Sequence, residues 1–297
     1  MYRMKQFFET YSTTHFVSSV MTQIQIPDIQ SDGIASSVRT QLEIADKIMP
    51  STGTQIEVYD IKDSILAKLS WTHHRTIFSR CKTDEEREYY LQSCIHQNYS
   101  VKELERQINS GTYERIILSN TKLPASIKDT YPDIENSFKD TYIFEFLNLS
   151  EPHSEIDLQK GLIRQMKNFI LELGKDFLFI DEEYKVQVGN SDFYIDLLFY
   201  HRGLQCLIAF ELKADKFKPE HLGQLNFYLE ALDRDVRKNN ENPSIGVLLC
   251  KDKDSEVVEY ALSRSLSPTL VSEYQTQLPD KKLLQQKLHE PFSTHNL

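Results

Sequence analysis

Asp196, Glu211 and Lys213 are the residues whose types and spacing suit chemistry around a divalent cation. They lie in two apolar runs, FYIDLLFY (193–200) and QCLIAFELK (205–213), separated by His201, Arg202, Gly203 and Leu204. Both runs are rich in β-branched and aromatic residues and flank a short glycine-containing turn, the pattern of a β-hairpin. A turn centred between Arg202 and Gly203 places Asp196 opposite Ala209. Strand alternation then sets Phe193, Ile195, Leu197 and Phe199 on one apolar face with Cys206, Ile208, Phe210 and Leu212. The other face holds Asp196, Glu211 and Lys213. In that register Asp196 and Glu211 are diagonal neighbours with backbones roughly 7–8 Å apart.

Two like carboxylates at that spacing repel, and each has its pKa raised unless a positive charge lies between them. A divalent metal resolves the conflict. Mg2+ takes oxygen ligands, keeps several waters and is commonly held by one or two carboxylates plus a substrate phosphate. A neighbouring lysine orients or deprotonates the attacking water, or neutralises charge building on the phosphate. A solvated or salt-bridged sheet face is the competing explanation. The acid-x-Lys triplet alone is weak, because Asp60–Lys62, Glu183–Lys185 and Asp280–Lys282 fit it as well. The aspartate across a hairpin is what sets Glu211–Lys213 apart.

Composition narrows the class without naming a function. The 297 residues leave room for two domains, and 40% hydrophobic with 26% charged residues is a globular balance. No apolar run approaches the length of a membrane span, and the N-terminal MYRMKQFFETYS lacks the apolar centre of a signal peptide. Cys81, Cys94, Cys206 and Cys250 form no CxxC pair, so buried free thiols are expected. A net charge of −10 argues against a module that binds nucleic acid by bulk electrostatics. These features fit a cytoplasmic protein with no membrane and no small-molecule cofactor.

The elements around the hairpin are readable. Ser154 and Asp157 form a capping-box-like start to a helix with an apolar stripe at Leu158, Leu162, Met166, Phe169 and Leu173, ending near Gly174. A short strand is expected at 184–188, then the hairpin. A helix opened by Pro219 follows, with Leu222, Leu225, Leu229, Leu232 and Val236 in its stripe. Strands at 244–250 and 269–274 enclose a helix at 255–263. The order helix, three strands, helix, strand, helix, strand implies an α/β fold with a mixed sheet flanked by helices.

That order, with Asp-x14-Glu-x-Lys on the second and third strands, resembles the PD-(D/E)xK nuclease superfamily and its restriction-endonuclease-like fold. FYIDLLFYHRGLQCLIAFELKADKFKPEHLGQLNFYLEALD is more closely similar to the YhcG family within it, and the likeness continues through NPSIGVLLC and VVEYALSRS. The resemblance implies that Asp196 and Glu211 ligate Mg2+, with Mn2+ as the other candidate, and that Lys213 is the catalytic lysine. It also implies supporting roles for Gln224 and Tyr228, which match the Gln-x-x-x-Tyr element of some relatives. Ile195 stands where the superfamily name puts proline. Gln159 occupies the first-helix position that many relatives fill with an acid, and Glu155, one turn earlier, is the candidate substitute.

The N-terminal half reads as a mainly α-helical domain, 1–150, with an irregular stretch at 20–58 punctuated by Pro27, Gly33, Pro50 and Gly53. Helices are expected at 61–80, 84–98 and 101–109. The last two have capping-box starts at Thr83/Glu86 and Ser100/Glu103, and Gly111 supplies a stop. They form either a helix-turn-helix presenting Lys102, Glu103 and Arg106 outward or an αα-hairpin in a bundle. LSWTHHRTIFSR resembles the helical domain that accompanies YhcG-type nucleases, which implies a DNA- or partner-binding role. His73 and His74 point about 100° apart on a helix, so one buried, hydrogen-bonded histidine is expected rather than joint chelation. The family carries further helical sequence upstream of an RMKQFF-like segment, so part of that domain is expected to be missing or supplied by another chain. The boundary is expected at 140–152, the nuclease domain at 151–285 and a tail at 286–297.

The expected function is a Mg2+-dependent endonuclease acting on DNA, with a homodimer the simplest route to paired cuts. A degenerate nuclease fold used for DNA or protein binding, and an RNA- or junction-specific nuclease, are the alternatives.

Overall fold

Two separate layers of apolar side chains, one on each side of a single sheet, decide this architecture. The computed structural model describes residues 65–119, 131, 134, 137–263, 265 and 267–289. The expected irregular stretch at 20–58, the start of the helix expected from residue 61, the Asp60–Lys62 triplet and the end of the tail lie outside the described residues. The chain divides into two compact units, Met1–His96 and Gln97–Leu297.

The first unit holds a short 3-10 turn (Ile65–Lys68), helix α1 (Trp71–Arg80) and most of α2 (Asp84–Gln97). The helix expected over 61–80 is thus interrupted before Trp71, where Ser70 is extended and leads into α1. The Glu86 N–H donates to the Thr83 hydroxyl oxygen at 3.2 Å, half of the capping box read in the sequence, while the Glu86 carboxylate accepts the Lys82 N–H at 2.8 Å in place of that of Thr83. His74 is buried, its Nε2 2.8 Å from the Leu66 carbonyl, and burial pushes its pKa down.

In the second unit, α3 (Val101–Asn109) and α4 (Thr112–Leu118) precede β1 (Thr141–Ile143), α5 (Glu155–Arg164), α6 (Met166–Leu173), β2 (Phe177–Val188), β3 (Ser191–His201) and β4 (Cys206–Lys216). Then come α7 (His221–Ala231), a π-turn (Leu232–Val236), β5 (Ile245–Asp252), α8 (Ser255–Leu262), β6 (Thr269–Gln275) and α9 (Lys281–His289). The six strands run in the order β1-β6-β5-β4-β3-β2. The β2-β3-β4 meander is antiparallel, and β4, β5, β6 and β1 pair in parallel. This is the mixed, helix-flanked sheet expected from the order of elements. Among the described residues no helix is long and apolar enough to cross a membrane.

One layer packs Leu158 and Leu162 of α5 and Phe169 and Leu173 of α6 against Leu197, Phe199, Ile208, Phe210 and Leu212. The other packs Leu222, Leu225, Tyr228 and Leu229 of α7 against Ile195, Leu198, Leu207, Ala209 and Leu248. Gly246 of β5 lets α7 approach closely, since a Cβ there would stand 2.8 Å from Leu225 Cγ. Two expectations change. The single long helix over 158–173 is divided at Gln165, whose backbone leaves the helical region. The short strand expected at 184–188 is a 12-residue edge strand that starts at Phe177. The expected boundary segment contributes β1, which pairs with β6 at the opposite edge.

Glu103 and Arg106, which the helix-turn-helix alternative presents outward from α3, are turned inward. Arg106 donates to Glu172 of α6 at 2.8 Å, to both oxygens of Glu145 at 2.8 and 3.0 Å, to Glu103 at 3.1 Å and to the Ile143 carbonyl at 2.8 Å. Glu172 is 0% exposed and also accepts from the Ile143 N–H at 3.1 Å. Lys139 Nζ lies 3.1 Å from it. The reason is electrostatic: a carboxylate buried in the sheet's flank needs cations, and α3 supplies one. This leaves Lys102 as the exposed member of the trio.

Burial alone would raise the Glu172 pKa, but Lys139, Arg106 and Arg115 outweigh it and hold the carboxyl down at about 2. A folded pKa below the unfolded one means stability that is present above the unfolded value, near 4.5, and lost as pH falls toward 2. Glu172→Gln should therefore cost about 3 kcal/mol or more at neutral pH by leaving buried cations unpaired. It should also flatten the acid limb of the stability curve in that window. Urea unfolding followed at several pH values measures both effects.

Candidate active site

The central strand β4 is buried from Cys206 to Leu212, as expected of a strand covered on both faces. Glu211 is the charged residue inside that buried run, and it is 1% exposed. The hairpin turn is longer than expected. His201 pairs with Cys206, so the turn runs from Arg202 to Gln205, where Gln205 adopts a left-handed φ of 51°. Ala209 consequently faces Leu198, not Asp196. The register is displaced by two residues, an even step that keeps side chains on their faces. It brings Asp196 level with Glu211, closer than the diagonal placement expected.

The β3–β4 ladder ends one residue before that level, at Leu197 and Phe210. Where it ends, the Asp196 side chain takes the place of a main-chain partner and accepts the Leu212 N–H at 2.7 Å. The alternation of β3 is interrupted here too. Leu197 and Phe199 belong to the α5 layer as expected, whereas Phe193 and Ile195 pack with Leu198 and Tyr200 in the α7 layer. The expected single apolar face was an error with a physical cause. Helices cover both faces, so apolar side chains carry no signal of which side they take.

Electrostatics bind the group together. Glu211 is pushed up to about 7, by burial first and then by the charge of Asp196, against the pull of Lys213. Asp196 is also raised by burial, partly offset by the Leu212 N–H and Lys213. Lys213 donates to Glu211 Oε1 at 2.9 Å and stands 3.6 Å from Glu155 of α5. Burial works against its charge, but Glu211, Glu155 and Asp196 raise its pKa on balance. Glu211 Oε2 is buried with no hydrogen-bond partner. That orphaned oxygen, in a pair of mutually repelling carboxylates, fits a cation. Among the described residues no three His, Cys, Asp or Glu side chains cluster as a metal cage, so water and a substrate oxygen would complete the shell, as Mg2+ prefers.

The supporting residues divide. Gln159 donates from its amide to the Asp196 carbonyl at 3.1 Å, so it braces the strand that carries Asp196. Glu155 reaches the site through Lys213, and Asp157 serves the helix cap with Ser154. Gln224 donates to the Tyr228 hydroxyl at 2.8 Å. The Tyr228 phenol is raised by burial first, and also by Glu211 and Asp196, which places α7 in the field of the acids. Glu183, set aside as part of an incidental triplet, also raises Asp196. The flanking pairs Glu182–Leu197 and Tyr184–Ile195 put it level with Asp196, a place hidden from the sequence because the strand expected at 184–188 began one residue too late. The Asp280–Lys282 triplet has no such neighbour: Asp280 caps α9 through the Lys282 N–H at 2.9 Å.

A sheet of this order, with an Asp and a Glu-x-Lys meeting at its seam, defines the PDDEXK nuclease class of fold. The model described as the YhcG PDDEXK nuclease domain matches residues 135–289, and a DUF1016 N-terminal domain model matches 53–115. The chain belongs to the YhcG PDDEXK nuclease family. It is 36% identical over 214 residues to a protein named YhcG from Escherichia coli (strain K12). The match covers 70% of this chain, and the chain spans 56% of that relative's length. Among solved structures it is similar to a repair endonuclease from Pyrococcus abyssi (14% identity, 44% of this chain and 50% of that one, TM-score 0.30). It is also similar to EndoMS in a complex with double-stranded DNA (15%, 44% and 48%, TM-score 0.29). Likenesses at that level carry no functional weight.

The Leu212 bond separates two substitutions. Asp196→Asn keeps a side-chain oxygen for the Leu212 N–H, whereas Asp196→Ala leaves that donor unpaired. Asp196→Ala should be less stable than Asp196→Asn by about 1–3 kcal/mol in denaturant unfolding. Equal stabilities would show that the bond contributes nothing.

Proposed function

We propose that this chain is a Mg2+-dependent endonuclease that hydrolyses phosphodiester bonds in DNA. The observation that carries this reading is buried Glu211 beside half-buried Asp196, with Glu211 Oε2 unpartnered among the described residues and Lys213 next to it. Asp196 and Glu211 would hold the metal, and when bound it supplies a water of lowered pKa and neutralises phosphate charge. The remaining steps fall to side chains. Gln159 and the Leu212 N–H fix the backbone and carboxylate of Asp196. The carboxylates around Lys213 raise its pKa, so it acts as a cation that orients the attacking water and offsets charge on phosphorus, not as a base. The oxygen of water bonds to phosphorus, one P–O ester bond breaks, and the proton the water gives up to solvent is matched by one that the leaving oxygen takes from it. Burial of Glu211 beneath the covering layers lowers the local dielectric on that side of the site, which strengthens these interactions.

In the same reading Gln224 and Tyr228 are supporting residues, and the N-terminal helices recruit DNA or a partner. The free, buried thiols agree with action in the reducing cytoplasm. A second reading, a fold kept for binding without turnover, draws on Gln159. It stands where many relatives have an acid, and its amide is committed to the main chain.

Asp196→Asn or Lys213→Ala should lower Mg2+-dependent nicking of supercoiled plasmid by at least about 100-fold while leaving the thermal unfolding midpoint near that of the parent. Undiminished nicking by either variant would overturn the assignment. Binding of DNA that is insensitive to chelator, without turnover in Mg2+ or Mn2+, would favour the second reading.

A further inference from the structure

Helix α7 contains a glycine that its own fold does not require. Gly223 lies in the first turn of the helix and is exposed, and a Cβ built there would meet nothing within 4 Å. Glycine is the poorest helix former after proline, so an unexplained one inside a helix calls for a reason outside it. Gly246 makes the contrast: it is held to glycine by Leu225 of the same helix, 2.8 Å away. The space above Gly223 belongs to no part of the described chain.

Its neighbours say what that space adjoins. Two residues before it, His221 has its pKa lowered by burial, with Lys213 among the further causes. One residue after it, Gln224 is exposed and donates to Tyr228, which feels Asp196 and Glu211. One turn on, Phe227 is 37% exposed and packs edge-on against Phe193 of β3, with ring centroids 4.6 Å apart. The outer side of α7 therefore presents, beside the acids, a bare stretch of backbone, an amide and a partly open ring. Those are the elements that accept a sugar–phosphate backbone at close range, a phosphate oxygen and a base face.

Building on the nuclease reading, we infer that the face of α7 carrying Gly223, Gln224 and Phe227 is the track along which a nucleic-acid strand reaches the carboxylate pair, with its backbone closest at Gly223. Gly223 is then a positioning residue kept small for the substrate at the expense of the helix.

The test compares Gly223→Ala and Gly223→Gln with the parent in the full chain carrying Asp196→Asn, which separates binding from cleavage. Both substitutions should raise the unfolding midpoint, by about 2 °C or more, because both residues are better helix formers with room for their side chains. Affinity for a fluorescent duplex oligonucleotide at fixed salt should fall at least about tenfold for Gly223→Gln, with Gly223→Ala between. Unchanged binding by both variants overturns the inference, as does a lowered midpoint, which would show that the glycine serves the fold. Failure of the Asp196→Asn chain to bind the oligonucleotide overturns it as well. If Gly223→Gln loses binding while the chain with Asp196 intact cleaves nothing in Mg2+ or Mn2+, the hydrolytic reading fails and this one stands. Cleavage by that chain, with binding unchanged by Gly223→Gln, removes this inference alone.

Discussion

A buried carboxylate, Glu211, and a half-buried one, Asp196, meet at the point where strands β3 and β4 stop pairing, and the second unit is organised around that constraint. A ladder continued past Leu197 and Phe210 would have needed main-chain bonds where Asp196 stands. Instead the Asp196 carboxylate substitutes for one of them, Gln159 of α5 braces its carbonyl, and Lys213 spans Glu211 and Glu155. Charges withdrawn even partly from solvent interact more strongly than they would in it. The covering helices thus give the pair its raised pKa values as well as its position.

Much of this was legible in the sequence because much of it is local. The Ser154–Asp157 box and the left-handed Gly111 follow from neighbouring residues and stand as read, whereas at Ser100 the hydroxyl caps α3 but the Glu103 carboxylate turns to Arg106 and Gln107 instead of completing a box. The grouping of Asp196, Glu211 and Lys213 survived a wrong register because the error was an even number of residues. The register itself was not legible. It depends on Gln205 adopting a left-handed backbone, which glutamine does not advertise. The break in alternation at Asp196 was hidden for a different reason: both faces are apolar, so no polar side marks the outside.

The inward turn of Arg106 was hidden because its partners are remote in sequence. Glu145 and the Ile143 carbonyl come from one segment of the chain and Glu172 from another, and they converge only when the sheet and its helices are assembled. On its own, α3 shows a charged face that reads equally well as a surface for nucleic acid. In the fold that face meets a buried acid, and the charges serve to key α3 and edge strand β1 to α6. A hydrophobic contact of the same size would tolerate sliding, whereas a fork of directed bonds does not.

Gly246 gives the sheet an influence over chemistry it never touches. Because Leu225 rests on its bare backbone, the depth at which α7 beds down is set by the missing methyl of a residue on β5. The same helix carries Gln224 and Tyr228 toward the acids. A single added carbon at 246 would act like a shim under a bearing, tilting α7 and the Gln224–Tyr228 pair it carries without altering either side chain.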